Sequence, residues 1–360
     1  MMLRKVLIFL FAAAYSNIHG IDSLHTIQKK LKVIGFPVVY YTPETRWALG
    51  ATSITTINSK FDSTNIRPSS VQFGFAITQL KQFLFYMPYQ LWIKDNSINI
   101  QGELGYYIYN YYFYGIGNNF EKENQELYDI TFPRFKLALL KQCGANKFLG
   151  IKTGFDDFKI SNLEVNGSLA QDTIRGSRGG KIFPLGVIFK IDSRDNIFNA
   201  SKGVFLEAYI EKSTKNFVSN FSYTKFSVDY VRYIKITKNA NLVVNGFLQS
   251  STGNVPFFQL PGIGGNKKLR GYYEFYYRDY NSWVLQTEWR QHIYGVLGCA
   301  FFAGLGEVHS DWKNTFTNTK NTYGAGLRVL LDKKQKINLR LDLGVAERKA
   351  NYYFTILEAF

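Results

Sequence analysis

The chain has 360 residues, a formal net charge of +16 and a mean hydropathy of −0.15. No stretch beyond the N-terminus offers the roughly 20 consecutive apolar residues that a membrane helix needs, which excludes a helical membrane protein. Two cysteines, Cys143 and Cys299, are too few for a disulfide framework.

The N-terminus reads as a secretory signal over residues 1–20. Arg4 and Lys5 form its positive region, Val6 to Ala14 its apolar core, and small or polar residues follow to Gly20. An exported chain does not meet nucleic acid, so the positive charge points instead to outer-membrane lipid and lipopolysaccharide as counter-ions, or to the solvated loops of a Lys-rich protein. Residues 21–46 form a short periplasmic lead. They are fewer than the roughly 40 residues a domain needs to fold unaided.

From Trp47 to Phe360 the pattern has period two, which is the expectation for one β domain without linkers. Strands are expected near 47–57, 68–78, 82–93, 97–110, 126–141, 146–156 and 158–169, with a turn at Asp156-Asp157. They continue at 184–192, 203–212, 223–235, 241–250, 282–291, 295–306, 320–331, 336–345 and 351–360. In 282–292, Trp283, Leu285, Thr287 and Trp289 share one face; Gln286, Glu288, Arg290 and His292 share the other. In 336–345, Ile337, Leu339, Leu341 and Leu343 oppose Asn338, Arg340 and Asp342. Runs of about 10 residues with charges on one face suit strands that cross a membrane around a wet lumen. Aromatics make up 17% of the chain, with 25 Tyr and 31 Phe. Tyr favours sites where one end of the side chain is dry and the other wet. The fold class is therefore all-β: a transmembrane antiparallel β-barrel of about sixteen strands in the bacterial outer membrane.

An even strand count with a periplasmic N-terminus puts the long 251–281 loop outside. That loop carries Pro261-Gly262-Ile263-Gly264-Gly265-Asn266-Lys267-Lys268-Leu269-Arg270-Gly271-Tyr272-Tyr273. Loops of this length are usually functional or disordered. The chain ends on Tyr352, Phe354, Ile356 and Phe360, an aromatic-terminated strand of the kind that marks a barrel for insertion, with Glu358 as a departure.

No enzyme chemistry is indicated. Only His19, His25, His292 and His309 exist, and no Ser nucleophile is spaced beside His292. Gly262-Ile263-Gly264-Gly265 lacks the strand–helix context of a phosphate loop, and no metal spacing or cofactor motif appears.

These pieces together resemble the BamA/TamA-like superfamily of outer-membrane assembly barrels, the bacterial surface antigens, from about Tyr40 to Phe360. The matching segments are Tyr41-Thr42-Pro43-Glu44-Thr45-Arg46-Trp47-Ala48-Leu49-Gly50, Tyr114-Gly115-Ile116-Gly117-Asn118, Asp192-Ser193-Arg194-Asp195-Asn196, Leu269-Arg270-Gly271-Tyr272, Gly326-Leu327-Arg328, Arg340-Leu341-Asp342 and Glu358-Ala359-Phe360. The resemblance implies that the loop folds inward and that Arg270 pairs with acidic residues on later strands. Glu288 holds the first acidic position. The second position appears as Gly304, which leaves Asp342 or Glu307 to supply the carboxylate.

The resemblance also implies a role in assembling or inserting outer-membrane components, for a barrel-only member without periplasmic POTRA domains. A seam between the strands at 47–57 and 351–360, eased by Gly50 and Gly344, would then receive incoming strands. The alternatives are an accessory or structural subunit docked on other outer-membrane or periplasmic proteins, and a narrow substrate-specific pore.

Overall fold

Period-two alternation becomes strand after strand in the computed structural model, which describes residues 30–42, 46–58, 67–118 and 125–360. The signal-like segment and Pro43-Glu44-Thr45 lie outside the described residues. The strands are β1 (Lys30–Thr42), β2 (Arg46–Asn58), β3 (Ser69–Thr78), β4 (Phe83–Ile93), β5 (Ile98–Phe113), β6 (Glu126–Gly144), β7 (Lys147–Ser161), β8 (Gly180–Ile182), β9 (Pro184–Asp192) and β10 (Gly203–Ser213). They continue as β11 (Tyr223–Lys235), β12 (Ala240–Gly253), β13 (Gly262–Ile263), β14 (Tyr277–Arg278), β15 (Asn281–Tyr294), β16 (Leu297–His309), β17 (Lys320–Asp332), β18 (Ile337–Ala346) and β19 (Lys349–Ile356).

All but the small β13–β14 hairpin belong to one 17-stranded sheet. Each strand pairs antiparallel with its neighbour in the chain, and β12 pairs with β15 across the long loop. β8 and β9 lie end to end along β7. Counted as one strand, they leave sixteen.

That number agrees with the sequence expectation, but two differences offset each other within it. Residues 30–42 are not a periplasmic lead: they form β1, paired with β2 in register from Lys30↔Asn58 to Thr42↔Arg46. Lys32, Gly35 and Pro37 interrupt its apolar alternation and hid it. Proline lacks an N–H and is tolerated where a ladder lies on one side only, and among the described residues β1 forms its ladder with β2, with Pro37 opposite Ala51. Conversely, Asp156-Asp157 makes no turn. β7 runs straight through it, because consecutive strand residues point to opposite faces. Asp156 turns inward to Arg134, 3.0 Å away, while Asp157 sits opposite Lys181 of β8.

Burial is inverted relative to a water-soluble sheet. Leu285 and Leu327 are 51% and 58% exposed, whereas Glu288 and Asp342, on the opposite faces of the same sheet, are 0% exposed. Only a lipid exterior and a polar lumen make that arrangement favourable. Short connections such as 145–146 and 295–296 lie at one rim, and the long loop 254–280 lies at the other. The long loop turns into the barrel and carries two aromatic clusters. One packs Phe257 and Leu260 against Phe113, Tyr128 and Phe158; the other packs Leu269, Tyr272, Tyr276 and Tyr277 around Tyr114 and Val284.

The C-terminal end departs from expectation. β19 stops at Ile356, not at Phe360. Leu357 adopts a left-handed φ of 74°, its N–H donates to Asn338 O at 2.9 Å, and the last residues leave the sheet for the lumen. Tyr352 faces outward with Phe354 and Ile356 on the same face, while Phe360 packs inside against the cluster of Ala200, Val231, Tyr233 and Val243. Glu358 supplies the physical reason. A carboxylate does not belong on a lipid face, and here it is drawn to Arg328 Nε at 2.9 Å and Asn338 Nδ2 at 2.7 Å.

Candidate functional site: the loop clamp and the strand seam

The tip of the long loop is held by backbone turns before any side chain acts. β13 and β14 pair Gly262 with Arg278 and Ile263 with Tyr277. Gly264 donates to Lys268 O at 2.8 Å and Gly265 to Tyr272 O at 2.9 Å. Gly264 has φ +111°, and a Cβ there would lie 1.7 Å from Tyr273 O, so no other residue fits.

This folding delivers Leu269-Arg270-Gly271-Tyr272 to the barrel wall. The Leu269 N–H donates to Gln286 Oε1 at 3.2 Å. Its side chain fills space left by Gly304 and Gly306 of β16, where added Cβ atoms would meet it at 3.1 and 3.2 Å. Gly304 thus receives the loop's leucine where an acidic residue was sought. Gly271 (φ +124°) donates to Tyr353 Oη at 2.8 Å and accepts from Asn351 Nδ2 at 2.6 Å, which ties the loop to β19. Tyr353 in turn donates to Tyr272 O at 3.0 Å. Tyr277 donates to Glu347 Oε1 at 2.6 Å.

Arg270 is buried and pairs through its two terminal nitrogens with Glu288 of β15 and Asp342 of β18. Its guanidinium lies 3.6 Å from the centroid of the Phe302 ring. A planar fork between two carboxylates over an aromatic face fixes orientation as well as charge. The pair is part of a larger network. Arg290 Nε reaches Glu288 Oε1 at 2.6 Å, and Arg328 Nη1 reaches Asp342 Oδ1 at 2.6 Å. Arg340 Nε lies 3.5 Å from Asp342 Oδ2 and its Nη2 donates to Asn266 O of the loop at 3.0 Å. Gly326 makes room: a Cβ there would sit 2.0 Å from Asp342 Oδ1. Glu307, the other acid considered for the second position, instead accepts from the N–H groups of Phe316 and Asn318 at 2.8 and 2.9 Å, organising the loop after β16.

Sequence reasoning missed three participants. Glu358, Asn351 and Tyr353 contribute to the network or hold the loop, and only inward-facing parity at the end of the chain could have signalled them. Gly344 also has a different role from the one first considered. A Cβ there would lie 2.8 Å from Arg270 C and Gly271 N, so this glycine admits the loop and does not loosen an edge. The Tyr114–Asn118 segment braces the same loop: Gly117 donates to Arg278 O at 2.8 Å, and the Tyr114 ring lies 4.4 Å from that of Tyr276. In the Asp192–Asn196 segment, Arg194 Nη2 folds back onto buried Asp192 at 2.8 Å. His292 sits at the opposite rim, its Nε2 3.1 Å from Gly295 O.

The first strand is β1, not 47–57. Among the described residues, β1 forms a ladder only with β2, and β19 only with β18. Lys32 of β1 forms an ion pair with Asp332 at the end of β17, at the short-turn rim.

The comparisons follow this geometry. A family model described as the Omp85 superfamily domain matches residues 67–354. No curated protein sequence matches the chain. Among solved structures, BamA from Haemophilus ducreyi lacking POTRA domains 1–3 aligns with a TM-score of 0.56 at 13% identity, covering 92% of this chain and 70% of that one. CdiB from Acinetobacter baumannii aligns with a TM-score of 0.58 at 12% identity, over 92% of this chain and 60% of its own. CdiB from Escherichia coli gives 0.56 at 12%, over 91% and 61%. The chain thus spans about three-fifths of the CdiB chains, and at these identities the likeness is one of fold. With its family domain covering most of its length, the chain belongs to the Omp85 superfamily and is an outer-membrane β-barrel protein.

Proposed function

We propose that this barrel assists the insertion or secretion of proteins at the outer membrane, and that it acts in assembly through the β1–β19 seam. The observation that supports this reading is that, among the described residues, β1 forms a ladder with β2 and β19 with β18, and no ladder joins β1 to β19. An edge strand presents free N–H and C=O groups that can template an incoming strand. β19 is short, and the chain turns at Leu357 directly after it. The clamp complements this arrangement. It fixes the loop to β15, β18 and β19, keeping the wall rigid beside an edge that must stay free.

The test is reconstitution. Liposomes carrying the full chain should fold a small eight-stranded client barrel several-fold faster than empty liposomes. Equal rates, together with normal outer-membrane protein levels after depletion in cells, would refute the assembly role.

A docked-subunit reading has its own support. Lys94, Lys147, Lys235, Lys238, Lys333 and Lys334 are exposed at the short-turn rim, a basic collar suited to an acidic partner or anionic headgroups. Salt-sensitive co-purification of one acidic protein in mild detergent would favour it; recovery of the bare barrel would count against it.

A further inference from the structure

Three turns stand side by side at the short-turn rim: 236–239 between β11 and β12, 295–296 between β15 and β16, and 333–336 between β17 and β18. Backbone hydrogen bonds tie their bases together, since the His292 N–H donates to Asn239 O and the Leu330 N–H to Val296 O, both at 2.8 Å. None of the three turns holds an Asp or Glu. Lys336 lies 4.0 Å from Asp195 Oδ2. Lys235, Lys238, Lys333 and Lys334 are exposed, and among the described residues their side chains make no hydrogen bond or ion pair.

The same sector exposes apolar surface on the wall and at the turns. Ile234 closes the outward face of β11 and Leu297 opens that of β16; Ile236 and Val296 carry the exposed surface into the turns. A bulge between His292 and Tyr294 leaves both Ile293 and Tyr294 exposed, Tyr294 to 82%. Above them on the wall stands Arg232. Val231 and Tyr233 on either side of it are buried in the inward cluster, so Arg232 faces out, between Val204 of β10 and Val244 of β12. Among the described residues its side chain has no hydrogen bond or ion pair. A cation on the lipid face is costly at the bilayer midplane and tolerated near the interface. β11 ends at Lys235, so Arg232 is one short reach of its side chain from the headgroups at this rim.

We infer that this sector is a binding surface for anionic phospholipid of the periplasmic leaflet, with Arg232 meeting lipid phosphate at the wall and the lysines meeting headgroup charge at the turns. Short turns face the periplasm in outer-membrane barrels. Basic clusters beside a membrane attract anionic lipid, and rings such as that of Tyr294 settle at headgroup level. An acidic protein docked on the turns would answer the lysines but leave Arg232, on the lipid-facing wall, without a counter-charge. A lipid touches wall and turns together. A zwitterionic headgroup brings its own ammonium and leaves the sector positive, whereas an anionic one neutralises it. Such a surface works whether or not the seam assists assembly, and at this part of the basic collar lipid takes the place of an acidic partner.

The experiment is native mass spectrometry of the full chain released from neutral detergent, with dioleoyl phosphatidylglycerol or dioleoyl phosphatidylcholine added. The phosphatidylglycerol should be retained at least fivefold over the phosphatidylcholine, and the preference should shrink as ammonium acetate is raised. R232Q and K235Q/K238Q should each lower phosphatidylglycerol retention at least threefold, while K212Q/K215Q at the opposite rim should leave it unchanged. Heat-modifiable gel mobility checks that each variant folds; were R232Q to lose it, K235Q/K238Q and K333Q/K334Q carry the test. Equal retention of the two lipids, or a loss matched by K212Q/K215Q, overturns the surface. So does salt-sensitive co-purification of an acidic protein that is lost in K333Q/K334Q while lipid retention stays the same.

Discussion

The two halves of the lumen handle charge in opposite ways. On the β15–β19 side, Arg270, Arg290, Arg328 and Arg340 interlock with Glu288, Asp342 and Glu358, and the side chains are almost wholly buried. On the β5–β11 side, separate pairs such as Arg134 with Asp156 and Lys152 with Glu211 stand around a cavity, and Lys190 and Lys225 donate to neutral amides. The first arrangement spends every charge on a neighbour and becomes rigid. The second keeps its pairs apart and leaves a polar cavity between them.

Arg270→Ala should break this contrast most strongly. It would strand Glu288 and Asp342 without their shared cation, and removing one partner of a buried pair costs about 3–5 kcal/mol. The expected result is a lower urea midpoint and a loop open to protease, whereas Lys136→Gln across the lumen should change neither.

Gly344→Ala should come next. Its new methyl group would meet the Arg270–Gly271 backbone at 2.8 Å, and overpacking of this kind costs about 1–3 kcal/mol. Protease cleavage within 262–280 should rise while barrel heat-modifiability persists.

A smaller effect is expected at the seam. Lys32 is partly exposed against Asp332, and such pairs are worth about 0–1 kcal/mol. Lys32→Ala should leave the unfolding midpoint almost unchanged but speed hydrogen exchange along β1.

The smallest effect concerns the 193–202 turn. Burial pushes the Asp195 carboxyl upward, but the Ser201 hydroxyl, the N–H groups of Ser201 and Lys202, and the Lys336 charge outweigh it, so its pKa is lowered. A carboxyl whose folded pKa is depressed adds stability above its unfolded pKa and loses it as pH falls through the folded value. Protection of the amides in this turn, relative to their intrinsic exchange rates at each pH, should therefore fall at acid pH, and Asp195→Asn should remove the dependence.

Much of this was legible in the sequence because a strand's parity is rigid. Once Leu285 and Trp289 are assigned to lipid, Glu288 must face the lumen, and the same reasoning places Asp342, Arg328 and Arg340. What escaped was what parity does not govern. β1 was masked by Lys32, Gly35 and Pro37, because edge strands tolerate residues that central strands reject. Asp156-Asp157 looked like a turn, because consecutive charges are out of place in a strand until Asp156 is paired with Arg134 and Asp157 falls on the opposite face. The inward turn at Leu357 depends on a tertiary contact, Glu358 with Arg328 and Asn338, that no local pattern encodes. Gly344 and Gly304 were visible as glycines, but which segment approaches them is decided by a loop folding back from far along the chain.

The central claim is that charge pairing to the wall holds the long loop inside the barrel. A double-mutant cycle of Arg270→Ala and Glu288→Gln, followed by urea unfolding and by protease access to the loop, tests it most directly. Coupled residues in one network show interaction energies of about 0.5–3 kcal/mol. The pairing predicts that the double variant is less destabilised than the sum of the singles by at least ~1 kcal/mol, with the loop exposed in all three variants. Strict additivity, with the loop still protected in Arg270→Ala, would contradict it.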